Sequence, residues 1–260
     1  MRGEVTFSGQ IVSLCPSITE TLIEFGLSEQ ICGVTKFCIH PESVVKNLCP
    51  LGGTKDPNLA RIRELDPDLI FMNSEENRRE DYESLAKDYK VDVSEPKSVA
   101  EIPSLLRHFG ALTHREAPAE RAAQKLERAL QSLRKARGQR TSLFSYVYLI
   151  WRKPWMCVGT DTYVSRLFEE AGGTNLFGDA NERYPEISLQ DIAEKKPNYI
   201  FLADEPFPFA ERHIPEVKKA CPLAKVEVIS GDDCCWHGIR SIRGVELMQS
   251  LLERLTELDA

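Results

Sequence analysis

The residues of this chain that could bind or react fall just beyond the ends of its predicted strands. All three tryptophans and two of the five histidines belong to this set. The candidate site residues are Pro16, Ser17, Phe37, His40, Thr54, Glu75, Glu76, Asn77, Trp151, Arg152, Trp155, Tyr184, Glu205, Trp236, His237 and Arg240. Large aromatic side chains with a few polar groups are typical of pockets for bulky planar ligands. These residue types therefore favour ligand binding.

In this interpretation the aromatic residues form the walls of a pocket for a bulky planar ligand. The expected walls are Trp151, Trp155, Tyr184 and Trp236. Arg152 and Arg240 would meet propionate, phosphate or amide groups of the ligand. The competing interpretation is that the tryptophans are core residues, because tryptophan is often buried for packing alone.

A metal- or haem-binding receptor is the alternative function. Imidazole, thiolate and carboxylate groups can bind zinc or iron. The candidate ligands are His40, His237, Cys234, Cys235, Glu75 and Glu205. Only the two cysteines are closely spaced, and the side chains of adjacent residues usually point apart. We therefore expect no metal site and interpret these residues as polar lining of a pocket.

Catalysis has the weakest support. Glu75 and Glu76 could act as paired carboxylates, although acidic residues at a helix start more often complement the helix dipole. Cys38 lies near His40, but alternate residues of an extended stretch face opposite ways. The chain has no GxSxG, Walker or HExxH motif. We expect no catalytic residues and no required cofactor.

The elements that position these residues alternate between strands and helices. Apolar runs predict strands at residues 11–14, 31–35, 70–73, 142–150, 199–202 and 226–229. Each run ends at one or more of the candidate residues. Open α/β sheets bind ligands beyond the carboxyl ends of their strands, so this position suits a binding site.

A long helix divides the chain into two similar halves. The three- and four-residue spacing of apolar positions predicts a helix at Glu116–Arg137, with Pro118 in its first turn and Gly138 after its end. The stretch PDLIFM at 67–72 matches PNYIFL at 197–202. We predict an α/β protein with two lobes, 1–115 and 139–260, bridged by a rigid helix at 116–138, with a ligand cleft between the lobes.

Composition excludes several classes of partner. The net charge is −7 and no basic block occurs, so nucleic acid is not an expected partner. No apolar run is long enough to insert in a membrane. The first residues lack the features of a secretory signal, which predicts a cytoplasmic protein. A periplasmic or surface-anchored location is the alternative if a signal was removed before the numbering begins.

The eight cysteines are scattered along the chain. Only Cys38 and Cys49 fall in one loop as a plausible disulfide. Reduced and mostly buried thiols are the favoured state.

These motifs resemble the substrate-binding proteins of cobalamin, siderophore and haem importers, and are most similar to the cobalamin branch. The resemblance covers nearly the whole chain. It rests on residues 11–20 (IVSLCPSITE), 33–35 (GVT), 52–53 (GG), 57–59 (PNL), 65–70 (LDPDLI), 172–177 (GGTNLF), 184–188 (YPEIS) and 236–240 (WHGIR). It implies two α/β lobes joined by one helix and a non-catalytic role in binding cobalamin or a related corrinoid.

The departures from this family concern the ligand and the transporter. A tryptophan of the family that stacks on the corrin is replaced by Thr54, and its tyrosine partner by Phe37. Two glutamates that dock on the permease are replaced by Ala60 and Gln190. We therefore expect a protein that keeps the binding fold, and docking on an ABC permease is doubtful.

Overall fold

The computed structural model describes residues 7–140 and 142–258, which form two compact units. The first unit contains the chain up to Pro96, Glu101–Lys125 and His237–Arg240. The second unit contains Lys97–Ala100, Leu126–Trp236 and the chain from Ser241 onward. The predicted lobe boundaries at the two ends of the long helix remain a prediction.

The first unit is a parallel sheet covered by helices. Its strands are β1 (Ile11–Ser13), β2 (Ile31–Val34), β3 (Cys49–Pro50), β4 (Leu69–Asn73) and β5 (Val91–Ser94). Its helices are α1 (Pro16–Glu24), α2 (Glu42–Val45), α3 (Leu59–Leu65), α4 (Arg79–Leu85) and α5 (Ile102–Leu112). The strand order is β3-β2-β1-β4-β5 and every pairing is parallel, so the carboxyl ends lie at one edge.

The long helix α6 (Glu116–Arg137) has the bounds that the sequence predicts. Its apolar face is buried as expected at Ala119, Ala122, Ala123, Leu126, Leu130 and Leu133. Charged residues occupy most of the positions between these apolar ones. A helix of 3.6 residues per turn returns to one side every three or four positions, so the apolar residues share one face.

The second unit has a mixed sheet. Its strands are β6 (Phe144–Trp151), β7 (Trp155–Cys157), β8 (Gly173–Asn175), β9 (Glu186–Ile187), β10 (Tyr199–Ala203) and β11 (Lys225–Ile229). Its helices are α7 (Tyr163–Glu170), α8 (Leu189–Lys195), α9 (Ile214–Ala220), α10 (Gly231–Cys235) and α11 (Ser241–Leu258). The order is β11-β10-β6-β7-β9, with β8 beside β6. Strands β6 and β7 pair antiparallel and form a hairpin that carries Trp151 and Trp155.

The two matching sequence stretches fold alike. Helices α3 and α8 each follow a side-chain N-cap, Asn58 and Ser188, and each ends in a left-handed residue, Asp66 (φ 46°) and Lys196 (φ 51°). A buried proline and a fully buried five-residue strand follow in both units. The prediction of two α/β units with one long helix is therefore confirmed.

None of the helices in the described parts of the chain combines the length and apolar character needed to cross a bilayer.

Candidate functional site

The N-terminus of α1 lies at the carboxyl edge of the first unit's sheet, and its polar residues face inward. Pro16 occupies the first turn, where its missing N–H costs nothing. The Ser17 hydroxyl lies 3.2 Å from His237 Nδ1 and 3.3 Å from Cys15 Sγ. Both Ser17 and His237 are buried. Burial lowers the pKa of His237 to about 4, so the imidazole is neutral at pH 7.

Arg240 is buried in an ion pair with Glu20 of α1. Its Nε and a terminal nitrogen each donate to a Glu20 oxygen at 2.6 Å. The two side chains are 4% and 11% exposed. Next to this pair, the Ile239 amide donates to Thr21 Oγ1 at 3.0 Å. The Arg240 guanidinium is thus committed to α1, and it does not present the free cation that the sequence interpretation assigned to a ligand.

Asn77 holds three loops together. Its Nδ2 donates to the carbonyls of Leu14 (3.0 Å) and Thr54 (2.9 Å), and its Oδ1 accepts from the Asn73 amide at 2.8 Å. Both Asn77 and Thr54 are buried. Asn77 and Thr54 therefore support the loops at this edge, and their side chains are not exposed to a ligand.

Two neighbouring glutamates lie at this edge, close to Lys55. The amides of Glu75 and Glu76 both donate to Asn73 Oδ1, which fixes the turn after β4. Lys55 Nζ donates to the Glu75 carbonyl at 2.5 Å. Desolvation raises the pKa of Glu76, against the lowering effect of Lys55, and the Glu75 charge raises it further.

An exposed apolar stretch follows β2. Phe37 is 48% exposed and His40 is partly exposed, whereas Cys38 is buried. The Cys38 Sγ lies 3.2 Å from Thr19 Oγ1 and 3.3 Å from Thr35 Oγ1, and burial raises the pKa of the thiol. This environment keeps Cys38 protonated and disfavours a nucleophilic role.

Five aromatic rings form a cluster at the carboxyl ends of β6 and β10 in the second unit. The ring of Trp151 packs edge-on against Phe207, with 5.6 Å between the ring centres. The ring centres of Phe207 and Phe209 are 4.7 Å apart. Trp155 lies parallel to Phe209 at 6.0 Å. His213 packs edge-on against both phenylalanines. We call these five residues the aromatic cluster.

The sequence interpretation did not include Phe207, Phe209 or His213. Their signal was the run Pro-Phe-Pro-Phe directly after β10, at the same edge as Trp151. Trp151 remains 40% exposed, so the cluster offers an aromatic surface to solvent.

The charge of Arg152 is neutralised beside this cluster. Its Nε donates to Glu216 Oε2 at 2.9 Å, and its guanidinium lies 6.0 Å from the Trp155 ring centre. Tyr184 is 37% exposed, with the Arg183 guanidinium 5.8 Å from its ring centre. Arg152 therefore acts first as a support for Trp155.

Trp236 is a buried residue at the end of a segment of the second unit. It is 6% exposed, and its Nε1 donates to Glu205 Oε2 at 3.0 Å. Trp236 therefore exposes little of its ring as the pocket wall that the sequence interpretation expected. Its neighbour Cys234 is also buried, which raises the pKa of that thiol, whereas Cys235 is exposed.

The described residues contain no group of three or more His, Cys, Asp or Glu side chains placed to hold a metal ion. All eight cysteines lie in the described parts of the chain and are free, so the plausible Cys38–Cys49 disulfide is not formed. The alternative of a His, Cys and Glu metal site has no preformed ligand set there.

Comparisons with known proteins agree with this fold. A family model described as periplasmic binding protein matches residues 11–220. The vitamin B12-binding protein of Pectobacterium carotovorum is 26% identical over 199 residues, covering 76% of this chain and 72% of that protein.

Solved structures show the same fold at lower identity. The periplasmic vitamin B12 binding protein BtuF of Vibrio cholerae has a TM-score of 0.82 at 22% identity, covering 95% of this chain and 97% of that chain. The periplasmic heme-binding protein RhuT from Roseiflexus sp. RS-1 has a TM-score of 0.79 at 18% identity, covering 95% and 99%. The expected cytoplasmic location finds no support here, because the family and both structures are described as periplasmic.

Proposed function

This chain belongs to the periplasmic binding protein family, and from that premise we propose that it binds a corrinoid or a similarly bulky metal chelate without changing it chemically. The aromatic cluster is the observation that carries the proposal. A corrin is a large ring with apolar faces, and aromatic side chains bury such faces while fixing their orientation.

The contacts proposed for the ligand are members of the candidate set that are exposed or half-buried. In the second unit these are Trp151 and Tyr184, with Trp155 and Arg152 behind them. In the first unit they are Phe37, His40, Glu75 and Glu76. Ser17, Asn77, Trp236, His237 and Arg240 are buried, and we propose that they support the surrounding loops instead.

Charge favours a ligand without an anionic rim. Haem carries two propionates, whereas the corrin ring of cobalamin carries mainly amide groups. Arg152 and Arg240, the two arginines expected to meet acidic groups, are paired with Glu216 and Glu20. The edge of the first unit adds Glu75 and Glu76. We therefore favour a corrinoid over haem, which the likeness to RhuT makes the second candidate.

Titration with cyanocobalamin tests the proposal through quenching of tryptophan fluorescence. We expect saturable quenching for the natural chain, and a Kd at least about 5-fold weaker for Trp151→Ala, since a central aromatic contact contributes more than about 1 kcal/mol. Tyr82→Ala is the matched control, because Tyr82 is 38% exposed on α4, outside the candidate set. Absence of quenching at tens of micromolar would overturn the corrinoid proposal.

A parallel titration with haem separates haem binding, the second candidate, from corrinoid binding. Titration with haem should give no shifted Soret band if the site selects a neutral rim. A tight haem complex without cobalamin binding would overturn the corrinoid proposal and identify haem as the ligand.

We also propose that the chain acts outside the cytoplasm, in keeping with its family, and catalyses no reaction. The positions corresponding to permease-docking glutamates, Ala60 on α3 and Gln190 on α8, are both exposed and uncharged. Docking on an ABC permease through acidic groups at these two positions is therefore not part of the proposal.

A further inference from the structure

Two partly buried cysteines on neighbouring strands of the first unit have no role in ligand binding. Cys32 lies on β2, and Cys49 lies on the edge strand β3. We propose that Cys32 and Cys49 are a disulfide site, which closes when the chain meets a disulfide oxidant. The inference is independent of the proposed ligand.

Strand register brings the two backbones to a suitable separation. Cys49 pairs with Gly33, so Cys32 is its diagonal neighbour on β2. Strands about 4.8 Å apart with a rise of about 3.3 Å per residue place diagonal Cα atoms about 5.8 Å apart. Disulfides join Cα atoms about 4.4 to 6.8 Å apart, so the bond needs little backbone movement.

An irregularity in the pairing of β1 with β2 at Cys32 accounts for both cysteines packing against the same core cluster. Strand β1 pairs with Ile31 and then with Gly33, which leaves Cys32 as an extra residue. Such a residue interrupts the alternation of side chains between faces. Cys32 and Cys49 accordingly both pack against one core cluster, formed by Val12, Leu14, Leu51, Ile62, Ile70, Met72 and Leu85.

The residue opposite Cys49 leaves room between the thiols. A Cβ atom on Gly33 would lie 2.5 Å from Leu51 Cδ1, so a larger residue at this position would have to displace that leucine side chain. No side chain at residue 33 therefore separates the two sulfur atoms.

The raised pKa of Cys32 agrees with a position of Cys49 close to it. Burial raises the pKa of Cys32, and the nearby Cys49 raises it further. Arg61 on α3 interacts with the Cys49 side chain and also donates to Glu64 at 2.7 Å.

With glutathione disulfide as the oxidant, exchange proceeds in two steps. The Cys49 thiolate attacks one sulfur of glutathione disulfide, forming a mixed disulfide and releasing one glutathione thiolate. The Cys32 thiolate then attacks Cys49 Sγ and releases the second glutathione. The cysteine pair loses two electrons and two protons, and glutathione disulfide gains them as two thiols.

The test uses the full chain with Cys235→Ser, because Cys235 is exposed and would react by itself. After incubation with glutathione disulfide, accessible thiols are counted by maleimide mass tagging and cross-links are mapped in unreduced digests. We expect the loss of two thiols and a peptide joining Cys32 to Cys49. Dithiothreitol should restore both thiols.

Cys38→Ser should leave this cross-link unchanged, and Cys49→Ser should remove it while circular dichroism stays the same. The absence of a Cys32–Cys49 peptide from the oxidised Cys235→Ser chain would overturn the proposal, whatever the folding of the other variants. A cross-link between Cys38 and Cys49 would overturn it equally.

Discussion

At the scale of residues, the carboxyl edge of the first unit depends on buried polar groups that are satisfied by distant partners. Glu20 and Arg240 are far apart in sequence, yet they form a bidentate pair inside the fold. Breaking a buried pair leaves one uncompensated charge, which costs more than the intact pair contributes. Stability at this edge should therefore respond strongly to a single substitution.

Glu20→Gln should lower the free energy of unfolding by about 3 kcal/mol, because Arg240 stays buried without its carboxylate. The measurement is urea unfolding at pH 7. Glu83→Gln is the matched control, since Glu83 pairs with Arg79 on an exposed helix face. That change should cost less than about 0.5 kcal/mol. Equal losses in the two variants would contradict the buried-pair account.

Burial of neutral His237 should make the fold sensitive to mild acid. Its pKa falls from the ordinary 6.5 to about 4 in the folded chain. Between these values the unfolded chain binds a proton that the folded chain does not, so stability falls as the pH is lowered through this window. Near pH 4 the loss reaches about 2 to 3 kcal/mol.

Urea unfolding at pH 7.5 and pH 4.5 measures this effect. The natural chain should lose about 2 to 3 kcal/mol more than His237→Gln between the two pH values. An identical acid response in His237→Gln would contradict a buried neutral imidazole.

At the scale of elements, the two units position their strand ends with the same helix–strand connection. Helices α3 and α8 have side-chain N-caps and left-handed C-caps at matching places. The cap of α8 is a capping box, in which Ser188 Oγ accepts from the Asp191 amide and Asp191 Oδ2 accepts from the Ser188 amide. Such caps satisfy backbone groups that a short helix leaves unpaired.

Ser188→Ala should lower the free energy of unfolding by about 1 kcal/mol, because the N-cap acceptor is lost. The control on the same helix is Gln190→Ala, which removes only an exposed contact with Glu194. Chemical unfolding of both variants gives the comparison. An effect of Gln190→Ala as large as that of Ser188→Ala would rule out the cap as the cause.

At the scale of the whole molecule, binding should stabilise the folded chain by mass action. Cyanocobalamin at 100 times its Kd should raise the free energy of unfolding by about 2.7 kcal/mol. Differential scanning calorimetry measures the corresponding rise in Tm. Trp151→Ala should show a smaller rise at the same concentration, and haem should give none. A rise with haem but not with cyanocobalamin would contradict the preference for a neutral rim.

The sequence by itself determined the long helix, the main buried strands and the fold class. The bounds of α6, its buried stripe and the two matching strand–helix stretches follow from local periodicity, because helix and strand geometry repeat every few residues. The resemblance to the binding-protein family also rested on local motifs, and the family match confirms it.

Only the tertiary structure decided which candidate side chains face outward. Trp236 and Arg240 stand beyond strand ends in the sequence, yet Trp236 donates to Glu205 inside the second unit and Arg240 pairs with Glu20. Likewise, Phe207 and Phe209 lie in one cluster with Trp151 and Trp155, and all eight cysteines, which lie in the described residues, are free. The physical reason is that burial and ion pairing depend on contacts between residues far apart in the chain, which periodicity does not encode.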